Sequence, residues 1–249
     1  MKTYSDGKNQ LKNHRQGWLI LASVAGFMAV SLAQAQPITL VNPSFESPGT
    51  GKISSGFSTI PGWGYFNGAL TATDSGVEDD SPPNGVWNAY MKGADSMNGI
   101  YPSQETSYSM LGTETYQLTF AARYTYGSEG PSDSYSQPMM APARVEADLY
   151  FVSGGAPVVF ARDVITWDAS GNGTPWANYT FVTGSPNPHS GFAPGDLLGV
   201  DFQNATADSY GFNWVEVDNV SLSVVPEPCT MALLSLGGLA LAAFRRRSA

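Results

Sequence analysis

Cysteine and histidine are almost absent from this 249-residue chain. Its single cysteine is Cys229, and the only histidine between residues 36 and 224 is His189, which lies in a proline-rich stretch. One cysteine permits no internal disulfide, and a zinc site needs several thiolate or imidazole ligands. The chain also lacks HExxH and GxSxG motifs, so neither zinc hydrolysis nor a Ser-His-Asp hydrolase is indicated.

Basic residues are scarce between residues 36 and 224. Of the 12 lysines and arginines, four lie before residue 16 and three after residue 244, which leaves five. Of the 21 acidic residues, 19 fall in this central region, so its formal charge is −14. Such a surface repels nucleic acid and anionic lipid and suits cations or neutral sugars. We therefore expect no nucleic-acid partner.

Uninterrupted helical patterns are missing from the same region. Glycine or proline breaks each candidate helix, whereas short runs of β-forming residues recur between turn residues. Tyr116, Leu118 and Phe120 alternate with polar Gln117 and Thr119, as in a half-buried strand. The order of runs predicts an all-β fold, a single antiparallel β-sandwich or jelly roll with long loops at 127–142 and 184–194. The predicted strands cover residues 38–41, 86–91, 115–122, 145–152, 158–165, 177–182, 197–203 and 214–224.

The last 25 residues have three parts in a fixed order. Pro226-Glu227-Pro228 comes first, an uncharged apolar stretch follows over residues 229–244, and Arg245-Arg246-Arg247 comes next. At roughly 1.5 Å per helical residue the apolar stretch reaches about 24 Å, near the lower limit for crossing a bilayer. The arginines favour a cytoplasmic end. The two prolines donate no backbone amide, so the motif is expected to stay extended and accessible.

This tail resembles the PEP-CTERM sorting signal of Gram-negative bacteria that make extracellular polysaccharide. The resemblance implies a transmembrane segment over residues 229–244 that holds a precursor in the inner membrane. It also implies cleavage near residues 226–228 by an exosortase-like processing enzyme. The freed domain is then expected at the cell surface or in the extracellular matrix.

The N-terminus is typical of a secretory signal peptide. Four basic residues precede an apolar stretch at 18–32, and Ala33-Gln34-Ala35 has the small-x-small form of a cleavage site. We expect signal peptidase to cut after Ala35, and an uncleaved N-terminal anchor is the alternative. The predicted divisions are therefore a signal peptide (1–35), a β-sandwich domain (36–224) and a sorting and anchor segment (225–249).

Five short motifs follow one another along the central region. They are NPSFE at 42–46, PGW at 61–63, residues 99–104, LGTETYQLTF at 111–120 and DNVSL at 218–222. Their order and spacing resemble the galactose-binding-like jelly roll, the fold of many carbohydrate-binding modules. That family includes sugar binders and adhesive modules, so the fold alone does not settle the function.

The same resemblance implies a structural calcium that ties the first strand to the last. The matching residues are Glu46 and Asp218, and Ca²⁺ takes carboxylate and backbone oxygens. The alternative is that Glu46 caps a turn and Asp218 accepts backbone amides. No other cofactor is predicted, and the acidic run at 78–80 is interpreted as a solvated loop.

Aromatic side chains are the candidate sugar platforms, because a pyranose stacks its C–H face on Trp or Tyr. Each candidate also has an interpretation as a core residue. The alternation that begins at Phe120 favours the buried face for Tyr124 and Tyr126. The candidate ligand-binding residues are Trp63, Tyr65, Trp87, Tyr124, Tyr126 and Trp167.

These observations predict an exported, non-catalytic protein of the cell surface or matrix that associates with exopolysaccharide. A self-assembling structural surface protein is the first alternative. A glycoside-active enzyme is the second, since 19 acids could supply a carboxylate pair, although none lies in a catalytic motif. Exposed aromatics in a row would favour binding, an uncovered sheet edge would favour assembly, and two carboxylates facing across a cleft would favour catalysis.

Overall fold

The computed structural model describes residues 35–47, 53, 56–65, 75–93, 101–126, 142–168, 173–183, 191–206 and 213–225. The predicted signal peptide up to residue 34, the tail from residue 226 and most of both predicted loops lie outside these residues. Pro37–Val224 forms one compact unit. Among the described residues, no helix has the length and hydropathy needed to cross a bilayer.

Eleven β-strands make up the described part of the sandwich. Seven of the eight predicted runs coincide with strands, whereas the first run overlaps its strand only at Ile38. Three further strands, Gly64–Tyr65, Gly76–Glu78 and Pro102–Ser109, were not predicted. The strands are β1 (Gln36–Ile38), β2 (Gly64–Tyr65), β3 (Gly76–Glu78), β4 (Asn88–Lys92), β5 (Pro102–Ser109), β6 (Thr115–Tyr126), β7 (Ala143–Ser153), β8 (Ala156–Trp167), β9 (Ala177–Val182), β10 (Leu197–Asn204) and β11 (Asn213–Val225).

The strands form two antiparallel sheets. One has six strands in the order β3-β4-β11-β6-β9, with β1 also paired to β11, and the other has five in the order β2-β5-β10-β7-β8. Gly154 and Gly155 turn the chain between β7 and β8 with φ of 61° and 83°, values that glycine adopts without steric cost. The all-β, antiparallel sandwich is therefore confirmed, and the helices expected to flank it lie outside the described residues.

Alternate residues of the two sheets fill the space between them. Phe120 of β6 and Phe202 of β10 meet edge to face across the sandwich, with ring centroids 5.0 Å apart. Leu118 beside Phe120, and Leu149 and Phe151 on β7, are also fully buried. Each such side chain contributes about 1.5–3 kcal/mol through its burial, which holds the sheets in register.

The intervening residues lie on the outer faces of the sheets, and several of them are polar yet buried. Asp148 on β7 and Asp201 on β10 belong to the five-stranded sheet, while Asn88 on β4 and Glu216 on β11 belong to the six-stranded sheet. All four side chains are inaccessible to solvent. Burying a carboxylate is costly unless it is paired or protonated, so these positions draw attention to both outer faces.

Candidate functional site

A row of polar side chains crosses four strands on the outer face of the five-stranded sheet. Ser103 of β5 lies opposite Asp201 of β10, Asp201 lies opposite Asp148 of β7, and Asp148 lies opposite Arg162 of β8. Directly opposed residues of antiparallel strands share a face, with Cβ atoms about 4.5–5.5 Å apart. We call these four residues the polar row.

Arg162 forms a two-pronged ion pair with Asp148. Its Nε donates to Oδ1 at 2.7 Å and its NH2 group donates to Oδ2 at 2.6 Å. Its NH1 group lies 2.7 Å from a carboxylate oxygen of Glu146. The hydrogen bond to Asp148 is the main reason that the pKa of Arg162 lies above its ordinary value. Two parallel hydrogen bonds between a guanidinium and a carboxylate are the strong geometry for this ion pair, so Arg162 compensates the buried negative charge of Asp148.

Asp201 has a different environment, since no arginine or lysine of the described residues pairs with it. Gln203 Nε2 lies 3.3 Å from Asp201 Oδ1, a long hydrogen bond, and Asp201 Oδ2 is buried without a partner. Burial, and after it the charge of Asp148, raises the pKa of Asp201 well above its ordinary value. Asp201 therefore keeps its proton at pH values where a surface aspartate has lost it, and it can act as a hydrogen-bond donor.

Two tyrosines border the polar row. The Tyr150 ring lies over β10, where a Cβ atom at Gly199 would overlap it, so this placement requires glycine. Tyr150 Oη and Ser103 Oγ share a hydrogen bond of 2.9 Å. Burial raises the pKa of Tyr150, and burial together with the charge of Asp201 raises that of Tyr101. Both phenols therefore stay protonated and can donate or accept hydrogen bonds.

A cavity of about 540 Å³ opens beside the polar row. Its walls include Trp63, Gly64, Ser103, Glu105 and Tyr150. The volume lies within the range of about 300–1,000 Å³ that is usual for small-molecule sites. The cavity brings two hydroxyl groups and one exposed carboxylate together over an aromatic floor, a combination that suits a ligand rich in hydroxyl groups.

Most of the predicted sugar platforms do not present their rings to solvent. Trp63 is buried, stacks on Phe45 with centroids 4.7 Å apart and donates Nε1 to Asn42 O, and it forms part of the cavity wall. Tyr124 and Trp167 are core residues, which corrects their assignment as ligand contacts. Trp87 is partly buried and packs against the core. The side chains of Tyr65 and Tyr126 lie outside the described part of the chain.

The sequence analysis did not identify the polar row. The signal that could have revealed it is a charged residue in the middle of two long β-runs, Asp148 in 145–152 and Asp201 in 197–203. In the alternation of each run these residues fall on the outer face, which is usually exposed. Only the pairing of β7 with β10 shows that the two acids are neighbours and buried.

Segments from both ends of the sandwich meet at a junction around Asn84. The Asn84 amide donates to Asp218 Oδ2 at 3.0 Å, and Asn84 Nδ2 donates to Ser44 Oγ at 2.8 Å. The Val220 amide donates to Pro43 O at 3.0 Å. Hydrogen bonds thus tie the first segment to the last strand, in part through a loop from the middle of the chain.

The predicted calcium ligands, Glu46 and Asp218, both lie at this junction. Glu46 accepts the amides of Val86 and Trp87 at 2.9–3.0 Å, so both carboxylates bind backbone amides as the alternative expectation had it. Burial raises the pKa of Asp218 to about 6, with the charge of Glu46 adding to the rise and the amides of Asn219 and Asn84 opposing it. Asp218 Oδ1 is buried without a partner, which leaves one oxygen suited to a cation.

The comparison with protein families identifies the tail. Residues 224–247 match the PEP-CTERM protein-sorting motif, which confirms the resemblance seen in the sequence. The motif indicates an exported protein that is sorted to the cell envelope. No curated protein matches the chain.

Solved structures with similar folds include enzymes and binding modules. The Stig cyclase Fisc from Fischerella sp. TAU is 20% identical, covers 78% of this chain and 99% of its own, and has a TM-score of 0.52. An apo cyclase from Fischerella sp. is 17% identical over 78% of this chain and 98% of its own, with a TM-score of 0.50. The CBM22-1 xylan-binding domain of Paenibacillus barcinonensis Xyn10C is 13% identical over 77% and 98%, with a TM-score of 0.42. At these identities the similarity to the cyclases shows the fold alone.

Proposed function

We propose that this exported protein binds neutral polysaccharide of the cell surface or matrix through the cavity beside the polar row. The observation that carries the proposal is the concentration of hydrogen-bonding groups in this cavity. Glu105 accepts hydrogen bonds, and the Ser103 and Tyr150 hydroxyls donate or accept them. Sugar hydroxyls are both donors and acceptors, so they complement a surface with both kinds of group.

Charge favours a neutral ligand over an anionic one. The central region carries a formal charge of −14, and two of its acids, Glu105 and Glu146, lie on this face. The exposed Arg162 is already bound to two carboxylates. A polyanion, whether an acidic polysaccharide or a nucleic acid, would meet repulsion here.

The carboxylates of the row support binding rather than glycoside hydrolysis. Glycosidases place two carboxyl groups on either side of the scissile bond, about 5–10 Å apart. Asp148 and Asp201 lie side by side on neighbouring strands, both are buried, and Arg162 occupies both oxygens of Asp148. We therefore propose a non-catalytic role.

The exposed edge of β8 offers less support for self-assembly. This strand is 12 residues long and ends its sheet, so its outer edge could pair with another chain. Pro157 near its start and the adjacent charges of Arg162 and Asp163 are devices by which natural edge strands resist such pairing. Binding of polysaccharide remains the function that the geometry supports best.

The glycan proposal is tested by affinity electrophoresis of the protein recovered from its host, in gels that contain neutral or anionic polysaccharide. We expect retardation by a neutral polymer, and the variant Glu105→Ala should bind about tenfold more weakly because a charged hydrogen bond is lost. Ser107→Ala is the matched control, an exposed position two residues along β5 that does not line the cavity. Equal migration of all three proteins in every gel would refute the proposal.

We also propose that the tail holds a precursor in the inner membrane until an exosortase-like enzyme cleaves near residues 226–228, after signal peptidase has removed residues 1–35. The match at 224–247 supports this order of events. Mass spectrometry of membrane, surface and polysaccharide fractions tests it. A chain from Gln36 to the PEP motif in the polysaccharide fraction is expected. A chain that ends at Ala249 and occurs only in the inner membrane would contradict it.

A structural calcium at Glu46 and Asp218 is part of the same proposal. The buried, unpartnered Asp218 Oδ1 supports it, because a cation would satisfy that oxygen. Calorimetric titration of the EGTA-treated protein with calcium tests it, and Asp218→Asn should remove the binding. An isotherm of Asp218→Asn that matches the wild-type curve would contradict it.

A further inference from the structure

Gly199 of β10 lies between two residues that line the cavity. It is opposite Tyr150 of β7 on one side and opposite Glu105 of β5 on the other. Directly opposed residues of antiparallel strands share a face of the sheet, so these three residues line up across the sheet beside the polar row. The central position of this line therefore carries no side chain, although it lies on the face that holds the cavity.

The ring of Tyr150 takes the space that a side chain at position 199 would need. A Cβ atom built on Gly199 would overlap Cζ and both Cε atoms of the ring. From this position Tyr150 Oη reaches across β10 to Ser103 Oγ on β5, at 2.9 Å. Glycine at position 199 thus permits the placement of both hydroxyl groups that line the cavity.

An alanine at position 199 is expected to displace the ring and not the strand. β10 lies between β5 and β7 and is paired with both, so its backbone is held on either side. Tyr150 lines the cavity and Gly199 does not, which means that the ring covers the glycine. The displaced ring therefore has room toward the cavity, where it would leave Ser103 and fill space that is open to a ligand.

We propose that Gly199 is a positioning residue for glycan binding, which lets the Tyr150 ring lie across β10 and so keeps the cavity open to a neutral sugar unit. This inference rests on the proposed function. Glycine inside a strand weakens that strand and often marks the close approach of another group or of a ligand. A ring that merely packs on glycine would stabilise the sheet without any effect on binding, and the two roles can be separated by experiment.

Titration of the tyrosines shows where the ring lies without any ligand. Burial is the main reason that the pKa of Tyr150 lies above its ordinary value, and a ring displaced into the cavity regains contact with water. In full-length Gly199→Ala we expect one phenol more than in the wild type to ionise by about pH 11, measured by ultraviolet absorbance. The additional phenol should be absent from Gly199→Ala/Tyr150→Phe. Identical titrations of Gly199→Ala and the wild type would overturn the proposal.

Affinity electrophoresis in the neutral polymer that retards the wild type gives the second measurement. Gly199→Ala should bind about tenfold more weakly, because the displaced ring loses its bond to Ser103 and narrows the cavity. Tyr150→Val lacks the ring atoms that an alanine at 199 would meet. Adding Gly199→Ala to this variant should therefore change binding by less than about twofold. An equal loss with and without the ring would contradict the proposal, since the alanine would then act through the fold alone.

Gly93→Ala is the matched control for both measurements. Gly93 follows β4 in the other sheet, and the nearest atom to a Cβ there is Thr206 O at 3.5 Å, an ordinary contact. This variant should titrate and migrate as the wild type does. Loss of the folded circular dichroism spectrum in Gly199→Ala would also overturn the proposal, because the ring would then have no room toward the cavity. Failure of every polymer to retard the wild type would refute the proposed function, and the titration would still decide whether Gly199 positions Tyr150.

Discussion

Each outer face of the sandwich buries a carboxylate beside an arginine, but the arginine pairs with its carboxylates differently on the two faces. On the five-stranded sheet, Arg162 gives both of its prongs to Asp148, and Asp201 is left without a cation. On the six-stranded sheet, Arg123 is divided between Glu216 and Asp80. Each arginine also meets a second acid, but Arg162 bonds both oxygens of its buried acid, whereas Arg123 contacts Glu216 through Oε2.

This difference bears on how the other buried acids hold their protons. Burial, and after it the charge of Asp148, raises the pKa of Asp201 well above its ordinary value, although Arg162 opposes the rise. Burial also raises the pKa of Glu216, against the opposing charge of Arg123. The first face also carries the Ser103 and Tyr150 hydroxyls, which suit a sugar ligand.

Removal of the arginine from either face should give the largest change in the free energy of unfolding. Arg162→Met leaves Asp148 buried without its partner, and we expect a loss of about 3 kcal/mol in the free energy of unfolding. Arg123→Met should lose less, because the pKa of Glu216 is raised to about 7 and the unpaired acid can take up a proton. Urea unfolding of both variants measures the difference. Equal losses would show that the two faces do not differ in the way described.

Glu216 should make the free energy of unfolding depend on pH. The pKa of Glu216 is raised to about 7 from 4.5, mainly by burial and against the opposing charge of Arg123. Between these values the folded protein holds a proton that the unfolded chain has released, so stability should fall as pH rises from about 4.5 through 7. We expect a decline of about 3 kcal/mol from this group.

Melting temperatures measured from pH 4.5 to 8 test this decline. Glu216→Gln serves as the control, since glutamine cannot ionise and should lack this part of the pH dependence. A wild-type decline no larger than that of Glu216→Gln would contradict the expectation.

The smallest effect is expected from Asp201→Asn. Asparagine imitates the protonated acid and cannot ionise beside Asp148, so the variant should be more stable than the wild type by about 1 kcal/mol at pH 8. At low pH, where Asp201 is protonated in any case, the two proteins should unfold alike. Urea titrations at pH 5 and pH 8 measure this, with Asp163→Asn as the surface control. A variant that is less stable at pH 8 would show that the ionised Asp201 has a partner.

Strands with a regular alternation of apolar and polar residues could be predicted from the sequence. The run at 177–182 coincides with β9, and that at 115–122 lies within β6. β5 could not be predicted, because its inward positions are polar. Gln104 satisfies both of its amide groups on the backbone of Val41, and Thr106 donates to Leu198 O. These partners are distant in sequence, so no local pattern reveals the strand.

The candidate sites depended on the tertiary structure more strongly than the strands did. Aromatic content suggested Tyr124 and Trp167 as ligand contacts, yet both pack in the core. The polar residues of the outer faces indicated the candidate sites only after the order of the strands had placed them together. Glu216 and Asn88 are separated by 128 positions in the chain and by 3.1 Å between the atoms of their hydrogen bond.

By itself the sequence determined the sorting tail, the all-β class and the in–out alternation of the long strands. Each of these depends on residues a few positions apart, whose spacing is read directly along the chain. The tertiary structure alone decided which outer-face acids are buried, which of them meet an arginine and which keep a proton. Ionisation and ion binding depend on distance through space and on access to water, and both are set by the order and register of strands from distant parts of the chain.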